Sequence, residues 1–150
     1  MSNISYSLYL NSQITTNRTG SSIDNYTYTI DWSKVLPTKY KTYTVTYKLI
    51  SAAVFTGTIP GTGSLFINFN TKTIDQTNSQ SSYVGIIEPW TYQQFSSSNF
   101  SWYLQSVNNL PFTINYPTSS NLNIKMLSLD TTYAFTMQNY ILQLNFTPSI

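Results

Sequence analysis

The sequence contains no cysteine and no histidine, and its charged side chains are few: 7 basic and 5 acidic in 150 residues. Without cysteine there is no disulfide, no thiolate nucleophile and no thiolate metal site, although cysteine content alone says little about compartment. Without histidine the commonest general base and metal ligand near neutral pH is missing. The charged share of 8% is about a third of the value usual in globular domains. Arg18, Lys48, Lys72 and Lys125 stand singly, and only Lys34, Lys39 and Lys41 come near one another. Those three read as a solvated loop and strand start, not as the basic stripe that nucleic-acid binding needs, so no direct nucleic-acid contact is expected. No apolar run approaches the roughly 20 residues that cross a bilayer as a helix, and no membrane span is expected. Residues Met1 to Ser7 carry neither a basic flank nor an apolar run, so no signal peptide is expected.

Uncharged polar residues fill the gap: Asn, Ser, Thr and Gln make up roughly two-fifths of the chain, far from the charge-rich, aromatic-poor composition of disordered segments. Aromatic residues reach 16%, with 13 Tyr, 8 Phe and 3 Trp. A chain of this length forms one domain, here residues 1–150, and buries roughly 70% of its unfolded surface without needing a metal or disulfide staple. Its nearly neutral surface has little self-repulsion, which favours association. Asn-X-Ser/Thr triplets occur at Asn3, Asn17, Asn25, Asn99 and Asn145, but such a composition produces them by chance, and they are weak evidence for secretion.

The dominant pattern is period-two alternation, which marks strands with one buried face. Tyr6, Leu8 and Leu10 open the series, and Tyr26, Tyr28, Ile30 and Trp32 follow a polar turn. Tyr43, Val45, Tyr47 and Leu49 alternate with Thr42, Thr44, Thr46 and Lys48 and continue into Ala52–Phe55. After a Gly- and Pro-containing turn come Leu65, Ile67 and Phe69, then a polar loop from Thr71 to Ser82 and a short strand around Tyr83–Ile87 that Pro89 is expected to end. The stretch from Trp90 to Val107 has no sustained period; a strand near Phe100–Leu104 and a short helical turn are its expected contents. The last runs are Phe112–Tyr116, Leu122–Met126 and Leu142–Phe146, with a loop from Asp130 to Asn139 before the final one. About eight or nine strands without a convincing amphipathic helix imply antiparallel pairing and an all-β, antiparallel β-sandwich. A single jelly roll of about eight strands fits best by count.

Catalysis is not expected. The acids Asp24, Asp31, Asp75, Glu88 and Asp130 are scattered and form no motif, and isolated acids are more often turn residues or caps. No acidic loop anchors calcium, and there is neither a phosphate-binding Gly loop nor a Gly-x-Ser-x-Gly elbow. No cofactor and no metal are expected. The rings between Trp90 and Tyr103 are mostly core filling, but aromatics also anchor protein interfaces and carbohydrate surfaces. Trp90 and Tyr92 follow the expected strand end at Pro89 and are the candidate subunit-interface residues.

Several stretches resemble the single jelly-roll capsid proteins of large icosahedral double-stranded DNA viruses and virophages, their pentons and minor capsid proteins. They are Ser7-Leu8-Tyr9-Leu10-Asn11-Ser12, Tyr28-Thr29-Ile30-Asp31-Trp32, the Leu36-Pro37 link into Tyr43–Leu49, and the closing pair Leu122–Leu127 and Tyr140–Pro148. The loop after Leu129-Asp130 lacks the glycine expected of that group, and Gln76–Leu110 carries none of the resemblance. The resemblance implies a virion structural protein assembled inside the host cell. Its implied partners are copies of itself, as a pentamer, together with the major capsid protein and other minor capsid proteins. A lectin-like or adhesin sandwich holding glycans on exposed aromatics is the alternative, and an enzyme on the same fold is the third possibility.

Overall fold

Strands with one apolar face must bury it against a second such face, and the chain does so by folding into two stacked antiparallel layers. The computed structural model describes the backbone of residues 4–22, 25–55, 63–72, 80–94, 100–107, 111–128 and 137–149, and the side chains of residues 4–20, 25–49, 65–69, 111–126 and 139–149. The strands among these are β1 (Tyr6–Asn11), β2 (Arg18–Ser22), β3 (Asn25–Thr29), β4 (Thr42–Phe55), β5 (Gly63–Lys72), β6 (Gln80–Gln94), β7 (Phe100–Val107), β8 (Phe112–Asn115), β9 (Asn121–Ser128) and β10 (Met137–Pro148). A single helical turn, α1 (Trp32–Val35), separates β3 from β4.

The pairing identifies the topology. One sheet runs β1-β10-β4-β8 and the other β3-β9-β5-β6, every pair antiparallel. With β2 and β7 set aside, the first strand pairs with the eighth, the eighth with the third and the third with the sixth. In the second sheet the second strand pairs with the seventh, the seventh with the fourth and the fourth with the fifth. That is the double-sheet pattern of a single jelly roll. The two further strands extend it: β2 adds to β3, and β7 pairs with both β6 and the far end of β4. Through β7 the hydrogen bonding passes continuously from one sheet to the other.

The core lies between the layers and is built from the predicted alternate residues. Tyr43, Val45, Tyr47 and Leu49 of β4 and Leu142, Leu144 and Phe146 of β10 face Leu65, Ile67 and Phe69 of β5 and Leu122, Ile124 and Met126 of β9, all buried. Aromatic rings bridge the layers: Phe69 lies 6.0 Å from Phe146 and 5.7 Å from Trp32, and Trp32 meets Phe146 edge-on at 5.9 Å. Such tilted and edge-on pairs add to simple area burial. A bulge at Ile50, where Ile141 pairs with Ser51 and Leu142 with Leu49, shifts the alternation of β4 by one residue along its length.

Several expectations need correction: the polar turn expected before Tyr26 holds strand β2 (Arg18–Ser22). The run Tyr26–Trp32 is not one strand, because β3 stops at Thr29 and Trp32 opens α1. The turn carries the indole inward, where its Nε1 donates to the Ser119 carbonyl at 2.8 Å and its ring seals the layers' end; alternation alone could not distinguish that plug from a strand residue. Pro89 does not end its strand, since β6 continues to Gln94. The register with β7 slips between Pro89 and Thr91, and an irregularity of this kind is where a strand tolerates proline. The strand after the polar loop is therefore far longer than Tyr83–Ile87, and β10 begins at Met137, inside the expected loop. The helical turn expected between Trp90 and Val107 falls partly on residues 95–99, outside the described residues; β7 accounts for Phe100–Val107.

Phe69 sits at the crossing of the aromatic contacts with no surface exposed. Phe69→Ala is expected to lower stability by about 3–5 kcal/mol, whereas exposed Thr46→Ala stays within about 0.5 kcal/mol of the parent; urea denaturation midpoints of the two variants measure the difference.

Candidate functional site

Two surface features lie at the same end of the sandwich, on either side of Ile30. The first is a groove of about 520 Å³ over α1, floored by Trp32 and Pro117 and rimmed by Asp31, Ser33, Thr38 and Tyr116. It exists because β3 breaks at Ile30, whose backbone N–H still donates to Ser120 at 2.7 Å before the chain turns into α1. Asp31 is exposed at its mouth. The Ser33 hydroxyl donates to its Oδ1 at 2.6 Å, and Lys34 Nζ stands 3.5 Å from its Oδ2. The Ser33 hydrogen bond, then Lys34, holds the Asp31 carboxyl below the usual carboxylate range. It is therefore an ionised acceptor at neutral pH rather than a proton donor, and with its hydroxyl neighbours it presents a polar, acceptor-rich rim. Of the three clustered lysines, Lys34 is paired in this way and Lys39 lies 4.9 Å over the Tyr40 ring.

The second feature is a smaller cleft of about 170 Å³ at the open side of the sandwich, between β1 of one sheet and β3 of the other. Leu8, Leu10, Tyr28 and Ile30 line its apolar part, and Ile14, Thr16 and Asn17 its rim. Behind it the Tyr28 and Tyr140 hydroxyls meet at 2.8 Å, a contact between residues 112 positions apart that ties the two sheets together. Burial raises both phenol pKa values; at Tyr28 the hydrogen bond with Tyr140 partly offsets the effect, while at Tyr140 the neighbouring Tyr28 adds to it. Arg18, which follows the rim residue Asn17, holds its guanidinium 3.9 Å from the Tyr26 ring centre and donates to the Ser12 carbonyl. Ser12, a buried polar residue, is satisfied in turn: its hydroxyl accepts from the Tyr140 N–H at 2.8 Å. Asn17 takes the left-handed backbone (φ 60°) that starts β2, a conformation asparagine tolerates better than most residues.

The expected interface pair falls on β6. Trp90 is the extra residue at the slip between Pro89 and Thr91, and Tyr92 pairs with Trp102 of β7. Both side chains lie outside the described residues, so their strand positions are known and their exposure is not. Sequence reasoning missed the α1 groove and the Tyr28–Tyr140 contact. The groove depends on a strand break that alternation conceals, and the tyrosine pair on a fold-level juxtaposition of distant residues. Among the described residues no three acidic, histidine or cysteine side chains gather to hold a metal ion.

Tyr43 adds a measurable titration. Its buried hydroxyl donates to the Pro37 carbonyl at 2.6 Å, and burial, with Tyr6, Tyr116 and Tyr40 nearby, pushes its pKa up to about 12. An unfolded tyrosine ionises near 10, so the folded state holds the proton more tightly. The stability from this group is complete below about pH 10 and is lost as pH rises towards 12. Denaturation midpoints are expected to stay flat in this group's contribution through neutral pH and fall above about pH 10, with Tyr43→Phe showing a smaller alkaline decline.

The chain matches no family model, no curated protein and no solved structure in the three comparisons made.

Proposed function

We propose that the chain is a structural virion protein: a penton at a five-fold vertex, or a minor capsid protein, that builds an icosahedral shell through subunit contacts. The observation that carries this reading is the complete jelly-roll pairing, β1-β10-β4-β8 over β3-β9-β5-β6, reached through the strands that resemble that capsid group. The fold alone hosts many functions; the low charge narrows the choice. A chain with 8% charged residues packs many copies together with little repulsion and few ions to desolvate. In this reading the partners are copies of the chain, the major capsid protein and other minor capsid proteins, the location is the virion, and the protein catalyses nothing. Trp90 and Tyr92 serve as subunit anchors.

A glycan-binding role is the second reading, and the α1 groove favours it. An ionised carboxylate, several hydroxyls and the Tyr116 ring around one depression are the groups that hold a neutral sugar by hydrogen bonds and ring contact.

Light scattering after size exclusion separates the readings. A discrete species near five times the 17.1 kDa chain supports the penton, and Trp90→Ala is expected to dissolve it while the monomer stays folded. A folded monomer that binds a glycan array and loses that binding in Asp31→Asn supports the second reading and contradicts the first.

A further inference from the structure

The sandwich has three strand ends where pairing stops among the described residues, and two of them are blunted. At the far end of the second sheet, β2 carries Arg18, a slipped register with β3, and Gly20 at φ 126°. A Cβ at Gly20 would fall 2.6 Å from the Asn25 carbonyl, so this edge is held in a conformation only glycine fits. The edge strand β8 is four residues long and sits between Pro111 and Pro117. Short length, charge, irregularity and proline are the devices that keep edge strands from pairing with other chains.

The remaining edge, β1, has none of them. Its six residues pair with β10 in unbroken register from Tyr6 to Asn11, it contains no proline or glycine, and no charged residue occurs before Arg18. The exposed large apolar side chains among the described residues also gather here: Ile4 (54%), Tyr9 (59%) and Ile14 (58%). Inner-face residues Tyr6 and Leu8 stay half-buried although their partners Phe146 and Leu144 are wholly covered. The cleft lined by Leu8 and Ile30 opens beside the same edge.

We propose that β1 is a self-pairing edge, where a second copy of this chain adds its own β1 antiparallel across a two-fold axis. A second copy suits the edge because neither strand brings a charge: pairing like with like meets no repulsion, while a charged partner strand would find no counter-charge between Ile4 and Asn17. Directly opposed residues in an antiparallel pair share a face, so the inner residues must oppose inner residues. With Leu8 opposite Leu8 of the second copy, Tyr6 opposes Leu10 and Ser7 opposes Tyr9, and the paired stretch stays clear of the turn at Ser12–Gln13. The two β1-β10-β4-β8 sheets then join into one across the axis. The inference stands on the strand edge and does not rest on the capsid reading; a two-fold contact is separate from a five-fold ring.

Sedimentation equilibrium at increasing concentration tests it, together with amide exchange along β1. The parent chain is expected to associate in pairs as concentration rises, doubling the mass of whichever species is present in dilute solution (17.1 kDa where that is the single chain), and alternate β1 amides, those pointing away from β10, become protected. Ser7→Lys/Tyr9→Lys places lysines opposite each other in the proposed register and is expected to weaken the dimer about tenfold or more. Ser7→Lys/Tyr9→Glu places each lysine opposite a glutamate and is expected to restore it. Both pairs change exposed outer-face positions, so circular dichroism should show the parent fold in each. A parent chain that stays monomeric at its highest soluble concentration overturns the proposal. So does a dimer indifferent to the lysine pair, a lysine effect that the Lys/Glu pair fails to reverse, or a dimer without protected β1 amides.

Discussion

Strand β10 holds the first sheet together. β10 lies between β1 and β4, in register with β1 from Ile141 to Phe146 and with β4 over most of its length. Strands β1 and β8 do not pair with each other, so the sheet is whole only when β10 has come to lie between β1 and β4. Its inner residues Tyr140, Leu142, Leu144 and Phe146 are all buried. Three of the contacts that join the layers pass through them: Tyr140 to Tyr28 by hydroxyls, and Phe146 to both Phe69 and Trp32 by rings. Folding therefore depends on contacts of very high sequence separation, where loop closure must precede reward, and slow folding is the general consequence.

Several polar groups inside this arrangement are matched by partners rather than avoided. The tyrosines at the layer boundary turn hydroxyls towards one another or towards carbonyls, as Tyr28 does to Tyr140 and Tyr43 to Pro37. The Trp32 indole finds Ser119, and Ser12 exchanges two hydrogen bonds with the backbone of Tyr140. Each of these pairings matters, because an unpaired buried hydroxyl forfeits about 1–3 kcal/mol. Rings add volume to an otherwise aliphatic core, and their polar tips reach partners at its edges.

Much of this was legible in the alternation. The residues expected to face inward on β4, β5, β9 and β10 are the ones buried, because a strand's period is independent of its partners. What alternation could not express were departures from the period. Ile30 and Trp32 continue the pattern of Tyr26 and Tyr28 by letter, but the backbone leaves the sheet after Thr29 and the indole reaches the core through a helical turn. Pro89 looked like a stop because proline donates no ladder bond; the slip beside it is a tertiary accommodation that the letters do not carry. The α1 groove followed from the first of these departures and so was invisible, while Trp90 and Tyr92 were placed just past a strand end that does not exist.

A jelly roll with few charges and uncharged β1 and β10 is suited to associate, as proposed above, through apolar and backbone contacts rather than ion pairs. Sedimentation velocity of the parent chain across a range of salt concentrations tests that most directly. Apolar contacts are not screened by salt, and excluded salts strengthen them, so self-association is predicted to persist or grow as ionic strength rises. Association that vanishes on adding salt, or a monomer under every condition, would contradict the account.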